Sequence, residues 1–432
     1  MKTSKNSALA VASTKNTTTR SAKNTIIRSA KNKSTSSAMQ STTRITFKGN
    51  NKIAKPACPA FEKTYAESEQ KGLKTLGQGT YGVAFRGCYN TTCSIKQGIK
   101  LSTIPSRHTD DETLPSNIEI NIGKELSHLV EKNYTPNINK IVDSFRCNIE
   151  DLKELKSLKT TKWMVETKHL LENKEIQPYV NIYFMELGTI DLNKFLRMRC
   201  DKRNIEFDEL LEIVFQMCHT LTVCQYNLPE YRHNDLKTNN MIVKINGHNL
   251  DRNFNNFTLC NEYTNAGKRF YIPHRGYTVK MIDFDFSNSY KYKNAKIASY
   301  KKTNFKYIGY SPKVNPVFDL HFFLNSLYLS EKIMRSIPKL KKFIERLIPS
   351  DCIGYHNTYA EKNKLSAYFA AGETNYIPPK MLSPIELIHF SKYFYKLEKQ
   401  YGLKIYKKYA TNFKMISTKV RKRHDMFNMF KR

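Results

Sequence analysis

The sequence predicts an α+β fold in two lobes, a β-rich first lobe and a helical second lobe, preceded by a disordered basic tail. Three observations support this prediction. With 432 residues and 40% hydrophobic content, the chain can bury a large core, as one two-lobed domain or as two domains. Short strand-like segments fill the early part, and helical apolar spacing dominates from residue 318 onward. We predict a tail over 1–66, a first lobe over 67–188 and a second lobe over 189–432.

The tail is the most biased segment of the chain. Its first 56 residues contain no Asp or Glu, and the pentapeptide RSAKN occurs twice, at Arg20–Asn24 and Arg28–Asn32. Such a low-complexity segment cannot bury enough apolar surface to fold by itself. Mitochondrial transit peptides have a similar composition, but the weak amphipathic periodicity favours a flexible arm for nucleic acid or another anionic partner, or a target for phosphorylation.

Charge, cysteine usage and hydropathy limit the possible classes of protein. A net charge of +33 favours contact with nucleic acid, an anionic membrane or acidic substrates. A general abundance of Lys and Asn in the source would explain it equally well. Nine cysteines without CxxC spacing predict reduced thiols and not a disulfide framework. No apolar run approaches the roughly 18 residues of a membrane span, and none follows the N-terminus as in a signal peptide.

The elements are predicted in chain order from apolar spacing and turn residues. In the first lobe we expect strands over Gly72–Leu101, a helix over Asn117–Leu129, a helical insertion over Glu150–Lys174 and a strand over Asn181–Leu187. In the second lobe we expect a helix over Phe207–Gln225, an inserted polar loop over Asn246–Tyr277 and mostly helices over Phe318–Tyr406.

A glycine-rich segment opens the first lobe. The sequence LGQGTYGVAF over Leu76–Phe85 places Gly77, Gly79 and Gly82 in G-x-G-x-x-G order. Glycines let the backbone approach phosphates closely because they have no Cβ. A dinucleotide-binding motif would continue into a helix, whereas a strand-like VAFRGCY follows here. The context favours a hairpin that lies over a nucleotide, with a plain turn as the alternative.

The next strand carries two candidate phosphate-binding lysines, Lys96 and Lys100. Together with Gly98 they alternate onto one face. Because Gly98 leaves a flat wall for a purine two positions before Lys100, we prefer Lys100. A carboxylate on the following helix can hold this lysine toward the phosphates. Glu119, which lies 19 positions after Lys100, is our choice, and Glu125 is the alternative.

Two later segments contain the other candidate catalytic and metal-binding residues. YRHNDLKTNNMIV begins at Tyr231, and in it Asp235 can orient an attacking hydroxyl and accept its proton. Lys237 can neutralise a transferring phosphoryl group, and Asn240 supplies a neutral oxygen to a Mg²⁺ ion. MIDFDF begins at Met281, and in it Asp283 follows an apolar strand and can hold the same metal.

The order of these motifs resembles that of the eukaryotic-type serine/threonine protein kinases. HNDLKTNN is similar to their catalytic loop, DFD to their DFG, and YFMEL to the hinge between their lobes. In PVFDLHFFL, Asp319 matches the residue that holds the catalytic loop. The resemblance implies a two-lobed kinase fold with ATP and Mg²⁺, or Mn²⁺ in its place, in the cleft. The nucleotide-binding positions are then Leu76, Gly77, Gly79, Gly82, Ala84, Gly98, Lys100, Glu119, Met185, Glu186, Leu187 and Asp191, with Asn240 and Asp283 as metal ligands.

The combination of DFDFS, DLHFF and a catalytic loop without Arg is similar to the virion-associated kinases of poxviruses and other large nucleocytoplasmic DNA viruses. That implies a location in the virion and host cytoplasm, or the cytoplasm if the source is not viral. Four departures from the pattern stand out. Asn234 replaces the usual Arg, Asp285 replaces the last Gly of DFG, Ala84 replaces a Val, and no A-P-E motif appears near Asn315.

We therefore expect an ATP-dependent Ser/Thr protein kinase that acts on viral virion or assembly proteins. Lys237 favours Ser/Thr over Tyr acceptors, since tyrosine kinases usually lack a lysine at that place. One alternative is a small-molecule phosphotransferase of the choline-kinase or aminoglycoside-phosphotransferase type, against which Lys237 and the three-glycine loop speak. Another is a non-catalytic kinase-like scaffold that binds nucleic acid through its basic tail.

Overall fold

The computed structural model describes residues 74–79, 82–88, 96–107, 112–153, 156–159, 161–248, 250, 254–298, 315–350, 353 and 381–411. All of them lie in one compact unit, Arg44–Arg432. The predicted tail over 1–66 lies outside the described residues. The tip of the glycine-rich hairpin and residues 299–314 lie outside them as well.

The first lobe is built on an antiparallel five-stranded sheet. Its strands, numbered along the chain, lie side by side in the order first, second, third, fifth and fourth. Its third strand is buried along nearly its whole length because it lies in the middle of the sheet. Val83, Ile99, Val180 and Phe184 belong to the apolar cluster on one side. The strands are β1 Lys74–Gly79, β2 Gly82–Cys88, β3 Lys96–Pro105, β4 Ile141–Asn148 and β5 Ile176–Glu186.

A long helix, α1 (Pro115–Glu131), crosses from this sheet toward the second lobe. Proline at its first turn suits the start of a helix, where the missing N–H has no partner to lose. Ile118, Ile122 and Leu126 recur at helical spacing and pack into the core of the second lobe. The predicted insertion forms three short helices, α2 Ile149–Lys153, α3 Lys156–Lys159 and α4 Lys162–Glu172.

The second lobe is mainly helical. Its core surrounds α6, whose residues are buried on almost all sides from Leu210 to Cys224. In a small sheet, β10 (Tyr277–Met281), β7 (Met241–Ile245) and β6 (Ile190–Asp191) lie in that order, and the two segments with the predicted catalytic residues adjoin the ends of its strands. The helices are α5 Leu192–Asp201, α6 Phe207–Asn227, α7 Ala295–Ala298, α8 Phe318–Tyr328, α9 Glu331–Ser336, α10 Pro338–Leu347 and α11 Pro384–Phe390, and the strands are β6 Ile190–Asp191, β7 Met241–Ile245 and β10 Tyr277–Met281.

The prediction of a loop over Asn246–Tyr277 is wrong. This stretch contains an antiparallel hairpin, β8 (Leu259–Asn265) and β9 (Lys268–Pro273). Its strand β8 also pairs in parallel with β11 (Lys404–Ala410), which lies where the prediction had helix. The polar, Asn-rich sequence concealed these strands because β8 is stabilised by a partner about 145 positions away, which no local pattern reveals.

The cysteines differ from the prediction in one respect. Cys200, Cys218, Cys224 and Cys260 are buried free thiols, as expected. Cys147, however, is disulfide-bonded, and its partner lies outside the residues whose side chains are described. Among the described helices, none is long and apolar enough to cross a membrane.

The described architecture confirms the two-lobed, kinase-like α+β fold. A twisted antiparallel sheet with one long helix is followed by a helical lobe, as the order of predicted elements required. The chain passes between the lobes at the end of β5, where Glu186 ends the large sheet and Ile190 begins the small one. The lobe limits of 67–188 and 189–432 stay predictions.

Candidate active site

The glycine-rich segment forms the hairpin β1–β2 at the edge of the large sheet. Gly77 pairs with Ala84, and Gly79 pairs with Gly82. A side chain at Gly82 would collide with the backbone carbonyl of Leu101 on β3, so glycine is required there by close strand packing. Around Gly77 there is open space, which is the condition for a ligand to approach the backbone. Leu76 is exposed at the edge and Ala84 is half-buried.

Strand β3 places the preferred lysine inside the site. Lys100 is mostly buried, whereas Lys96 at the beginning of the strand is exposed. Gly98 faces Met185 across the β3–β5 pair, and a Cβ on Gly98 would lie only 3.0 Å from the Met185 side chain. The side chain of Met185 therefore lies over the flat backbone surface at Gly98.

Lys100 is the centre of a compact charge cluster. Its Nζ lies 2.7 Å from Glu119 Oε1 on α1 and 2.8 Å from Asp283 Oδ1. Tyr183, directly opposite Lys100 on β5, donates its hydroxyl hydrogen to the same Glu119 oxygen at 2.6 Å. The cluster thus joins both strands, the helix and the segment that follows β10. Glu125, the alternative partner, instead contacts Lys291 and Tyr292.

Burial and charge shift the ionisation of this cluster. Burial would lower the pKa of Lys100, but the Asp283 and Glu119 carboxylates raise it well above its usual value. Burial raises the pKa of Glu119 to about 7, against the opposing effect of Lys100. At Asp283 burial would raise the pKa, but the Lys100 ammonium has the larger effect and lowers the pKa to about 2. Asp283 is therefore a full anion at neutral pH, as a metal ligand must be.

A buried carboxylate fixes the backbone of the predicted catalytic-loop segment. Asp319, in the first turn of α8, accepts hydrogen bonds from the backbone N–H groups of His233 at 2.7 Å and Asn234 at 2.8 Å. Asn234 has a left-handed backbone with φ of 65°, a conformation that Asn tolerates better than most residues. Its side chain donates to the Phe286 carbonyl, so this loop is also tied to the DFD segment.

Asp235, Lys237 and Asn240 form one hydrogen-bonded group. The Lys237 ammonium lies 2.8 Å and 3.1 Å from the two Asp235 carboxylate oxygens. The Asn240 amide nitrogen donates to the Asp235 carboxylate at 2.7 Å and to its carbonyl at 2.9 Å. Burial raises the pKa of Asp235, and Lys237 opposes that rise. The acid is thus fixed in orientation and flanked by a cation.

Asp283 and Asn240 are the residues that fit a metal ion. Since the amide nitrogen of Asn240 is used by Asp235, its oxygen remains for a cation, and within the described residues it accepts no hydrogen bond. Asp283 has φ of 66° and keeps one carboxylate oxygen that Lys100 does not contact. The Ile282 N–H donates to the Asn240 carbonyl at 3.1 Å, which holds the two segments together. Among the described residues no cluster of three or more His, Cys, Asp or Glu side chains could bind a metal alone. The amide and carboxylate oxygens of Asn240 and Asp283 suit Mg²⁺, which prefers oxygen ligands, keeps waters and shares phosphate oxygens.

Glu186, Leu187 and Asp191, the predicted nucleotide-binding residues near the hinge, have different surroundings. The Glu186 side chain forms an ion pair with Lys280 of β10 at 2.7 Å. Its predicted contact with the nucleotide stays a prediction. Asp191 caps α5 by accepting from the Lys194 N–H at 2.8 Å, a structural role beside the expected ribose contact. Leu187 is half-buried beyond the end of β5.

Sequence reasoning missed Tyr183 and Lys280. Both lie in apolar strand sequences, where a single polar group is easily taken for a surface residue. Lys280 is 7% exposed and also donates to the Ile138 carbonyl at 3.2 Å, so it joins three parts of the chain. Only the two-residue period of the strands could have indicated Tyr183 as a site residue. Tyr183 and Met185 share one face of β5, and they lie opposite Lys100 and Gly98, which share one face of β3.

Comparison with known proteins identifies relatives of this chain. Two curated proteins of Acanthamoeba polyphaga mimivirus, both named "putative serine/threonine-protein kinase", are similar to the chain. One is 26% identical over 301 residues, which are 64% of this chain and 61% of the relative. The other is 25% identical over 235 residues, which are 50% of this chain and 57% of the relative. The chain resembles viral protein kinases.

This viral-kinase-like chain spans about three fifths of the length of each relative. No protein-family model matches it. Among solved structures, the crystal structure of the BubR1 kinase domain is similar over 50% of this chain and 46% of that chain, with 14% identity and a TM-score of 0.29. The likeness to the mimivirus proteins confirms the resemblance found in HNDLKTNN, DFD and YFMEL.

Proposed function

We propose that the protein is an ATP-dependent protein kinase that transfers the γ-phosphate of ATP to Ser or Thr of proteins. The observation that carries this proposal is the continuous network from Lys100 through Asp283 to the loop that holds Asp235. It brings together a phosphate-binding cation, a metal-binding carboxylate and an acid that can orient a hydroxyl. These are the groups that phosphoryl transfer requires.

In the proposed reaction the protein acts by positioning and by charge neutralisation. Lys100, held by Glu119 and Tyr183, binds the phosphates of ATP. Asp235 orients the acceptor hydroxyl and accepts its proton, while Lys237 moves from Asp235 toward the transferring phosphoryl group. Asn240 and Asp283 hold the divalent ion, Mg²⁺ or Mn²⁺. When bound, the ion neutralises charge on the phosphate oxygens of ATP.

The finer parts of the proposal concern acceptor and location. Lys237 supports Ser and Thr as acceptors. The likeness to mimivirus proteins supports a viral source, with virion or assembly proteins as substrates and the virion and host cytoplasm as the place of action. The basic tail is proposed as an arm for nucleic acid or another anionic surface, next to the kinase activity and not in its place.

The decisive test is transfer of labelled γ-phosphate from ATP in the presence of magnesium. Wild type, Asp235→Ala and Asp283→Ala are offered a protein mixture and, separately, choline-like and aminoglycoside acceptors. We expect label on Ser or Thr of proteins, reduced at least about hundredfold in both variants. Lys100→Met should lose activity to a similar degree, whereas the matched variant Lys96→Met should stay near wild type.

Four other outcomes would contradict parts of this proposal. Label on small molecules alone would identify a small-molecule phosphotransferase. ATP binding without any transfer would identify a non-catalytic scaffold. If Lys96→Met were inactive and Lys100→Met active, the assignment of the phosphate-binding lysine would be wrong. Acid hydrolysis of the labelled protein separates phosphoserine, phosphothreonine and phosphotyrosine, and label on tyrosine alone would exclude Ser/Thr specificity.

A further inference from the structure

Strand β11 is an edge strand with an unusual surface. Among the described strands it pairs with β8 alone, in the order β11-β8-β9. Tyr409 points inward and lies 5.1 Å from the ring of Tyr263, which anchors the strand to the core. Lys404, Tyr406, Lys407 and Lys408 are all exposed. The strand therefore presents three cations and an aromatic ring to solvent within five positions.

This three-stranded sheet carries many more basic than acidic residues. Its three strands carry the basic residues Lys268, Arg269, Lys404, Lys407 and Lys408 but Glu262 as their one acidic residue. Glu262 is largely buried and lies 3.9 Å from Lys408. Among the described residues, Arg269, Lys404 and Lys407 form no ion pair with a carboxylate. The Lys407 Nζ lies 5.6 Å from the centroid of the Tyr409 ring, but no carboxylate among the described residues neutralises these three cations.

Exposed aromatic rings lie among these cations. Tyr406 is 56% exposed, and its ring stacks on His274 with centroids 4.1 Å apart and planes 19° apart. Tyr395 and Tyr401, in the segment that leads into β11, are 49% and 69% exposed. The exposed ring of Tyr406, two positions from Lys404 and next to Lys407, is suited to an anionic ligand that also has an aromatic group.

Lysines on an edge strand have a simpler explanation, since they prevent pairing with another sheet. That explanation does not account for the tyrosines, because exposed rings on an edge promote association. An acidic protein or an anionic membrane would pair with the cations and leave the stacked Tyr406–His274 rings unused. Single-stranded nucleic acid uses both groups, as its phosphates pair with cations and its bases stack on aromatic rings.

We propose that the outer surface of β11, together with His274, binds single-stranded nucleic acid. Lys404 and Lys407 contact phosphates, and Tyr406 stacks on a base. This surface is separate from the basic tail over 1–56, and none of its residues belongs to the candidate active site. It goes beyond the proposed kinase activity and does not depend on it.

The test is fluorescence anisotropy of a labelled 20-nucleotide oligothymidylate with the full chain, over a range of salt concentrations. Tyr406→Ala should weaken binding at least about fivefold, whereas Tyr406→Phe, which keeps the stacking ring, should bind like wild type. Lys404→Gln with Lys407→Gln should reduce the slope of log affinity against log salt by about 1.4, since each single-strand phosphate contact contributes about 0.7.

The matched control is Lys339→Gln with Lys342→Gln on α10, two exposed lysines on a different surface. It should leave affinity and slope unchanged. Unfolding midpoint and phosphate transfer should stay at the wild-type level in all these variants, which excludes misfolding. The proposal is overturned if the β11 variants bind like wild type while removal of residues 1–56 abolishes binding. Equal weakening by the α10 control, or binding of anionic vesicles but not of the oligonucleotide, would overturn it too.

Discussion

At the residue scale, the candidate site depends on how one carboxylate is held. Glu119 is buried and receives both the Lys100 ammonium and the Tyr183 hydroxyl on the same oxygen. A buried carboxylate without such donors would be protonated, and it would then no longer attract the lysine. Tyr183 is thus a positioning residue that acts through Glu119.

The change Tyr183→Phe keeps the ring and removes the donor. We expect the free energy of unfolding to fall by about 2 kcal/mol, the usual value of a hydrogen bond to a charged group. The KM for ATP should rise more than kcat falls, because Lys100 loses its fixed position. Tyr179→Phe on the same strand, where the described residues give the hydroxyl no hydrogen bond, is the control. Equal effects of the two changes would contradict the role of Tyr183.

At the element scale, helix α1 is placed by a glycine. A side chain at Gly123 would collide with Ile141 of β4 and lie 3.5 Å from Phe284 of the DFD segment. The absence of a Cβ lets the helix, the sheet and that segment pack together. Glu119 lies one turn earlier on the same helix, so its approach to Lys100 depends on this close packing.

Replacement of Gly123 by Ala should therefore destabilise the protein by about 1–3 kcal/mol, the typical cost of overpacking. Helix propensity alone would predict the opposite sign, since Ala is favoured over Gly by about 1 kcal/mol within helices. Chemical denaturation measures the difference. Asn121→Ala, two positions away and half-buried, serves as control and should leave stability unchanged or raise it. A stabilised Gly123→Ala protein would refute the packing argument.

A second element-scale feature is the buried chain of polar groups that joins α6, β8 and α11. His219 donates from Nε2 to the Tyr134 carbonyl at 2.9 Å and accepts at Nδ1 from the Asn265 amide at 3.1 Å. His389 donates to the Asn265 oxygen at 3.2 Å. Burial lowers the pKa of both histidines to about 4. Both are therefore neutral in the folded protein at physiological pH.

This chain predicts a loss of stability in acid. The unfolded chain accepts a proton on His219 near pH 6.5, but the folded chain does so only near pH 4. Between these values the unfolded state binds more protons, so the free energy of unfolding falls as the pH falls. For His219 the fall amounts to roughly 3 kcal/mol and is complete below about pH 4. Denaturant titrations at several pH values measure it. His219→Gln should flatten the slope, whereas the surface change His128→Gln should not.

At the scale of the whole molecule, the two lobes are joined by a largely buried ion pair. Lys280 of β10 reaches Glu186 at the end of β5, and the Asn139 N–H donates to the Met281 carbonyl at 3.0 Å. Burial lowers the pKa of Lys280, while Glu186 opposes that shift. The pair fixes the hinge against the small sheet that carries the catalytic segments.

Lys280→Met should cost roughly 3 kcal/mol of unfolding free energy, because it leaves the partly buried Glu186 carboxylate with only weaker partners. These are the Lys244 ammonium at 3.5 Å and the Lys140 backbone N–H at 3.4 Å. The double change Lys280→Met with Glu186→Gln should be less destabilised than Lys280→Met alone, since no uncompensated charge remains. A double-mutant cycle from denaturant titrations measures this coupling. Additive effects would show that the pair does not join the lobes energetically.

The sequence was informative wherever the signal is local. G-x-G-x-x-G, HNDLKTNN and DFD each lie within ten positions, and residue type and spacing alone indicated phosphate, hydroxyl and metal chemistry. Helix α1 was predicted within two residues of its observed limits, and the end of strand β5 within one, because apolar periodicity reflects which face is buried. The first five residues of β5 were not predicted. The predicted roles of Asp235, Asn240 and Asp283 stay predictions until transfer is measured.

Tertiary structure decided what local patterns cannot encode. Lys100 and Asp283 are 183 positions apart, and Tyr183 lies 64 positions from Glu119, yet all four side chains share one cluster. The pairing of β8 with β11 and the turn of Glu186 toward Lys280 likewise depend on long-range packing. The sequence by itself determined which chemical groups are present and their local geometry. The fold determined which of them meet, because burial and strand pairing act between segments that are distant along the chain.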